Sequence, residues 1–542
     1  MKKLFFAAMA LATIVSCSKN VDDAPEVSTT GNQTAYLSVS LKADMTRAAV
    51  GSFADGIEDE TAVENATFYF FDAAGKAYNV DDDNAVEVKA ENLTWADGTE
   101  NTIEKFSNIV LVIKQHQDTP PAKMVALINV ANPADFAGKS LAQLQALNTD
   151  FQTKVGFVMS NSVYSENGAT VVATEILPEN IFTTPDPEGA VGDVYEAPEG
   201  VEPVQIYVER VAAKVQVKYG VTANEKGFYP IEGENDTFVK VLGWDVTNAT
   251  TTSYLLKNYA ETNLFSPVNN PTFHRSYWAF TYQQNPAHGF KFNELINSAA
   301  RYYHENTLTP TNADGWFNAN TISGATEASQ LLVAAQLVDA EGNPKQFAKW
   351  YGKEYDCNPE ALMAAMVSNA AKQIFVEATP VVEEPTPAAE GDKVFNGITW
   401  EDVVFYQVEA GDYNPNTHTG DRRYEVRVKA DAKVTYYDAT GEKMSIDDVN
   451  AILNKIEPAM IWKDGYTYYY TVINHFGDAD GMVRNHIYDI NITGFKGFGT
   501  PVYDPTHVII PETPEEQEPY HMTAQINVLQ WALVSQDVNL GK

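Results

Sequence analysis

Residues 35–45, A-Y-L-S-V-S-L-K-A-D-M, alternate without a break. Ala35, Leu37, Val39, Leu41, Ala43 and Met45 fall on one side, and Tyr36, Ser38, Ser40, Lys42 and Asp44 on the other. A period of two belongs to a strand with one buried face, so the chain must supply a sheet to receive it. Directly after it runs T-R-A-A-V-G-S, residues 46–52, small residues behind a single arginine in a chain poor in basic residues. Loops of small residues are where proteases cut, which makes Arg47–Ala48 a candidate cleavage bond; the plainer reading of Arg47 is a surface loop residue.

The other end carries a second segment of the same kind. In residues 523–540, Ala524, Ile526 and Val528 share one parity and Leu529, Trp531 and Leu533 the other, with Val538 and Leu540 beyond. Its aromatic and β-branched content favours an extended backbone. Residues 511–519, P-E-T-P-E-E-Q-E-P, hold three prolines and four glutamates, which neither helix nor sheet accepts readily. An apolar strand thus hangs on a stiff acidic linker. It can fold back into its own sheet or complete the sheet of another molecule at an exposed edge.

At the start, Lys2 and Lys3 precede an apolar stretch, 4–15, of signal-peptide length and too short for a permanent span. It ends in I-V-S-C, residues 14–17, which resembles a bacterial lipobox and makes Cys17 the expected lipidated residue, a tether to outer-membrane lipid. The only other cysteine is Cys357, so disulfides are not expected to hold the exported protein together. Taken together, a cut after Arg47 removes the first strand, opens an apolar groove, and leaves the last strand of another copy able to fill it.

The lipobox at Cys17, the strand running into Thr46-Arg47-Ala48, V-E-R-V-A-A-K-V at 208–215, V-R-N-H-I-Y-D-I-N-I at 483–492 and V-L-Q-W at 528–531 together resemble the fimbrillins, the subunits of type V pili, most closely the major subunits of short (Mfa-type) fimbriae. The resemblance implies two transthyretin-like β-sandwich domains in tandem and export as a lipoprotein lipidated at Cys17. It further implies cleavage between Arg47 and Ala48 by an arginine-specific protease, and polymerisation by donor-strand exchange. The implied partners are other copies of the chain and accessory tip and anchor subunits, on a cell-surface fimbria that supports adhesion. The tail departs from the family at Gln530, where a proline usually precedes the tryptophan.

The 542 residues suffice for two or three domains with full cores. The formal charge of -36 becomes -37 on cutting after Arg47, since five basic and four acidic residues leave; such a surface does not bind nucleic acid or an anionic membrane by charge. Short apolar runs at 66–71, 108–113 and 124–130 read as buried strands bounded by turns. Residues 140–147 read as a short helix with Leu141, Leu144 and Leu147 inward. The Pro-, Gly- and acid-rich stretch 185–203 is the expected boundary between an N-terminal domain, 48–203, and a C-terminal one, 204–510, the linker 511–519 and donor strand 520–542 following. The second domain opens with 204–217, where Glu209 and Arg210 either pair with other segments near the junction or stay solvated. Two helices are expected there, one from Asn358-Pro359 and one from a capping box of Ser445 and Asp448, as insertions on a larger sandwich.

Catalytic signals are scarce. The nine histidines are scattered and no H-E-x-x-H, C-x-x-C or G-x-S-x-G occurs, so neither enzyme nor cofactor is expected. The glycines at 494, 497 and 499 read as a strand-end turn. Asp81, Asp82 and Asp83, and Asp478 with Asp480, lack the remainder of a calcium loop, so no metal is assigned. His486 either joins a polar cluster or enters a late strand. Besides a polymerising subunit, a monomeric surface lipoprotein that binds glycan or host protein remains open, as does a lipoprotein hydrolase with no visible constellation.

Overall fold

In the computed structural model the described residues lie between 35 and 535. Within that span 45–57, 98–102, 115–118, 184–185, 192–193, 248, 260–268, 271–273, 283–289, 296–297, 308–328, 352, 357–358, 378–394, 408–423, 431–432, 476–478, 503–504, 507, 510–521 and 531–532 are left aside. The fold is mainly β, with two sandwich-like halves in tandem, each built on a ten-stranded sheet.

The first half is formed by β1 (Ala35–Asp44), β2 (Asn65–Phe71), β3 (Ala85–Lys89), β4 (Ile103–Ile113), β5 (Lys123–Ile128), β6 (Met159–Asn161) and β7 (Val204–Arg210), with the helices α1 (Glu58–Thr61) and α2 (Leu141–Gln145). The order is β3-β2-β5-β6-β7-β1-β4, with Ala96–Asp97 on the far edge. The sheet closes over one core, so Leu37, Val39 and Leu41 of β1 meet Phe68 and Phe70 of β2, Leu111 of β4 and Ile206 of β7. The runs in β2 and β5 are continuous rather than alternating because both faces are covered. Ala66, Phe68 and Phe70 enter this core, while Tyr69 and Phe71, with Val125 and Leu127, enter a second one.

That second core joins the halves. Tyr69 and Leu127 share it with Leu144 of α2 and with Leu255, Leu256, Trp278 and Val483 from the C-terminal half. The helix expected at 140–147 forms over Leu141–Gln145, with Ser140 and Gln143 closing a capping box, Leu144 buried, and Leu141 and Leu147 half-buried against the same core. Ser140 Oγ accepts from Gln143 N and Gln143 Oε1 accepts from Ser140 N, which satisfies two orphan donors of the first turn.

The second half comprises β8 (Ala213–Tyr219), β9 (Tyr229–Glu232), β10 (Phe238–Thr247), β11 (Ala300–Tyr303), β12 (Gln330–Val338), β13 (Tyr466–Val472), β14 (His486–Lys496), β15 (Met522–Gln530) and β16 (Leu533–Ser535). Its order is β11-β8-β14-β9-β10-β12-β13, with β15 on β14 and β16 on β15. Trp244, Leu331, Val333, Tyr469, Ile490 and Ile492 build its core. Between β12 and β13 lies an inserted module with its own core, where Leu362 and Met366 of α3 (Pro359–Val367) and Val449 and Leu453 of α4 (Ile446–Leu453) meet Val426 and Tyr424. The expected capping box of Ser445 and Asp448 starts α4. The turn expected around Gly497 is present: β14 ends at Lys496, and Gly497 and Gly499 take φ of +67° and +68° before Thr500–Pro501.

One expectation is corrected. Residues 204–217 read as a single segment opening the second half, but Val204–Arg210 completes the first sheet and Ala213–Tyr219 begins the second. The change of sheet falls at Val211-Ala212, both fully buried, where Val211 N donates to Val158 O of the first half and Asn485 N to Ala212 O in the second. No glycine or proline marks the step, because it is made inside a core rather than in a solvated turn.

Candidate assembly site

β1 is an interior strand. It runs parallel to β7, with Val39 opposite Val204 and Ala43 opposite Val208, and antiparallel to β4, with Ala35 opposite Ile113 and Leu41 opposite Ser107. Tyr36 and Leu37 also face Phe182 and Ile181. Both backbone edges are therefore in use. Leu37, Val39 and Leu41 are fully buried, and Ser38 and Ser40 of the opposite face are buried too. The strand stops at Asp44, after a bulge at Ala43/Asp44. Cys17, Met45, Arg47 and Ala48 lie outside the described residues.

Helix α1 is anchored independently of β1. Glu60 of α1 is fully buried; Lys214 Nζ donates to its carboxylate at 2.6 Å, the Tyr302 hydroxyl donates to the same oxygen, and Arg210 Nε donates to its backbone carbonyl at 2.9 Å. Loss of everything before α1 would leave this clasp in place.

The tail strand β15 lies antiparallel on β14, with Ala524 opposite Ile492, Ile526 opposite Ile490, Val528 opposite Tyr488 and Leu529 opposite Ile487. The other edge of β14 is held by β8 and β9, both parallel to it. The last strand thus rests on its own sheet, and the residues after it add a short partner, with Leu533 in β16 folding back opposite Leu529. β16 is short, so most of the outer edge of β15 carries no pairing among the described residues. Trp531, Val538 and Leu540 lie outside the described residues. The two strands therefore differ in kind, one enclosed by long partners on both edges and the other held along one.

Between the halves sits a buried charged network. Glu209 pairs with Lys257 at 2.7 Å, both 2% exposed, and Lys257 Nζ also donates to Ser276 O at 2.9 Å. Burial draws the Lys257 ammonium below its ordinary range, and Glu209 opposes that. Arg484 donates to both oxygens of Glu305, at 2.8 Å from Nε, and to Tyr254 O at 2.6 Å. Glu209 therefore pairs across the junction, while Arg210 reaches a carbonyl. Lys257, Glu305 and Glu60 left no local signal in the sequence, since their partners lie far along the chain; only a charge inside an apolar run, as at Glu209, could have hinted at it.

His486 opens β14 and belongs to a polar cluster as well. His475 lies 2.8 Å from the Tyr488 hydroxyl and 2.7 Å from Tyr277 O, and its ring centre is 4.9 Å from that of His486. Burial pushes His475 down to about 3, and burial together with the neighbouring imidazole pushes His486 well below its ordinary value. Asp81 pairs with Lys114 at 2.9 Å. Among the described residues no group of three His, Cys, Asp or Glu side chains could hold a metal ion.

Residues 460–537, which carry both β14 and β15, match the family described as major fimbrial subunit protein type IV, Fimbrillin, C-terminal. No curated protein matches the sequence. Among solved structures, a fimbrilin from Porphyromonas gingivalis W83 is 15% identical, covering 94% of this chain and 100% of that one at a TM-score of 0.35. The tip fimbrial protein Mfa3 from Porphyromonas gingivalis is 10% identical, covering 91% and 100% at 0.30. A fimbrial assembly protein from Parabacteroides distasonis ATCC 8503 is 13% identical, covering 60% and 86% at 0.29. The superpositions are loose.

Proposed function

We propose that this chain is a structural, non-enzymatic subunit of a cell-surface fimbria, most like the major subunit of short fimbriae. It is exported as a lipoprotein carrying lipid on Cys17, cut between Arg47 and Ala48 by an arginine-specific protease, and polymerised by donor-strand exchange, supporting adhesion. The mature chain begins at Ala48 with an N-terminal sandwich, followed by the larger C-terminal sandwich, the Pro/Glu-rich linker 511–519 and the donor strand 520–542. Its partners are further copies of itself and accessory tip and anchor subunits.

The observation that carries this reading is the placement of β1. It is an interior strand whose removal would unpair β4 and β7 together and uncover the core facing Leu37, Val39 and Leu41. A strand lost from an edge would leave no such groove. The fimbrillin match over 460–537 supports the reading, because it falls on the half that supplies the incoming strand.

The change in strand pairing supports exchange. On β14 the tail has one long partner, and in the vacated groove it gains two. An added edge of about five main-chain hydrogen bonds, at roughly 1 kcal/mol net each, favours the move once β1 has gone.

Mild trypsin treatment of the purified uncleaved protein tests this. Gel ladders with Ala48 at the new N-terminus are expected; a product that only shortens, with no multimers, would leave a monomeric surface lipoprotein.

A further inference from the structure

We propose that a cleft on the first half is a binding site for a neutral saccharide, and that Lys42 of β1 caps its aromatic platform until the leader is removed; the second clause rests on the maturation proposed above. The cleft has a volume of about 1010 Å³ and lies beside β6 and β7, walled by the hairpin of Tyr164–Glu166 and Ala169–Val171. That volume is at the upper end of ordinary small-molecule sites, roughly 300–1,000 Å³, and suits an oligosaccharide better than a single sugar.

Its chemistry is graded from rim to floor. Glu166, Glu175 and Glu202 line it from exposed positions, and Lys123, the one cation in the lining, spends its ammonium on Ala73 O at 3.1 Å. The buried lining is neutral: Asn161, Ser162 and Asn180. Ser162 Oγ is buried with no hydrogen-bond partner among the described residues. A buried hydroxyl left unpaired calls for a water or a ligand group. Anionic ligands are opposed by the rim carboxylates and by a chain charge of -36. A cationic peptide would find its carboxylates only at the solvated rim, where attraction is weak and screened.

The flat surfaces for a sugar's C–H face are also present. His274 stacks on Tyr207 with ring centres 4.2 Å apart and planes at 18°, and His274 Nδ1 lies 3.0 Å from the Tyr164 hydroxyl. His274 is held at φ +52°, a conformation non-glycine residues rarely take and one that concentrates at functional sites. Lys42 stands opposite Tyr207 in the β1–β7 register, with its Nζ 5.4 Å from the ring centre. Lys42 lies outside the cleft lining itself, so it acts on the site through the Tyr207 ring that a sugar would share with it. Residues 522–541 contain neither lysine nor arginine, so a tail strand seated between β4 and β7 brings no such ammonium to Tyr207.

The test uses the full uncleaved chain, so it reads saccharide binding whether or not the protein is ever cut or polymerised. Lactose, maltotriose and chitotriose are titrated calorimetrically into wild type, Lys42→Ala, and Lys42→Ala combined with Tyr207→Ala, Tyr207→Phe or Ser162→Val. At least one sugar is expected to bind Lys42→Ala five-fold or more tighter than wild type. Tyr207→Phe should retain that binding, while Ser162→Val and Tyr207→Ala should each weaken it at least five-fold, with Ser162→Val deciding the matter if Tyr207→Ala does not fold. Silence from all three sugars, indifference to Ser162 and Tyr207, or tighter binding of trilysine than of any sugar would overturn the site. Equal affinity of wild type and Lys42→Ala would overturn the cap.

Discussion

A substitution in β1 should destabilise the uncleaved protein and leave the fibre untouched. Leu41 is fully buried against the core shared by β2, β4 and β7. Leu41→Ala removes the equivalent of about three methylenes, roughly 0.8 kcal/mol each, and opens a cavity the closed sheet cannot fill, for a loss of about 3 kcal/mol within the usual 2–5. The control is Ile206→Ala on β7, equally buried in the same core but retained after cleavage. Urea unfolding of uncleaved protein and heat dissociation of fibres grown after cleavage are measured for both. Uncleaved Leu41→Ala should lose about 3 kcal/mol. Its fibres should match wild type, because β1 is no longer in them, whereas Ile206→Ala should weaken both. Fibres of Leu41→Ala weakened as much as the uncleaved chain would mean that β1 stays in the assembled subunit, and the exchange mechanism would fail.

Deleting everything after Gln517, or Trp531→Ala, should give a folded, secreted, cleavable monomer; wild-type-length fibres in electron micrographs of either would contradict this. Glu209→Gln leaves Lys257 buried without its counter-charge and should cost about 3–5 kcal/mol by urea unfolding, whereas replacing the pair by Leu and Met should restore most of it. Acid should weaken the uncleaved chain through His475: folded, it stays neutral down to about 3, while the unfolded chain takes up a proton near pH 6.5, so the unfolded state binds more protons throughout that window. Stability therefore falls as pH drops from about 6.5 toward 3, by up to about 1.4 kcal/mol per unit from this group, and His475→Gln should flatten that slope relative to wild type in pH-dependent melts.

Much of the fold was readable because local pattern and tertiary environment agree. The alternation beginning at Ala35 appears as β1 with Leu37, Val39 and Leu41 inward, and the helices expected behind Ser140 and from the Ser445 and Asp448 capping box both form. The step at Val211-Ala212 was hidden because two apolar strands follow each other with no turn residue between them. The inserted module between β12 and β13 was foreshadowed by its helices, but not its closure as one unit, because the pairing that ties its ends together, as of Ala348 with Ile461, spans a long sequence gap. The seat of the tail was invisible for a different reason. Strand pattern says that a segment will pair but not with which edge, and β15 satisfies the same alternation on β14 that it would between β4 and β7.

The most direct measurement is cross-linking mass spectrometry on fibres grown from an equal mixture of isotopically light and heavy subunits cleaved at Arg47. Strand exchange predicts links joining 522–542 to 103–113 or 204–210 in mixed light-heavy pairs. Links confined to one copy, from the tail to 486–496, would show that each subunit keeps its own last strand and that something else holds the fibre together.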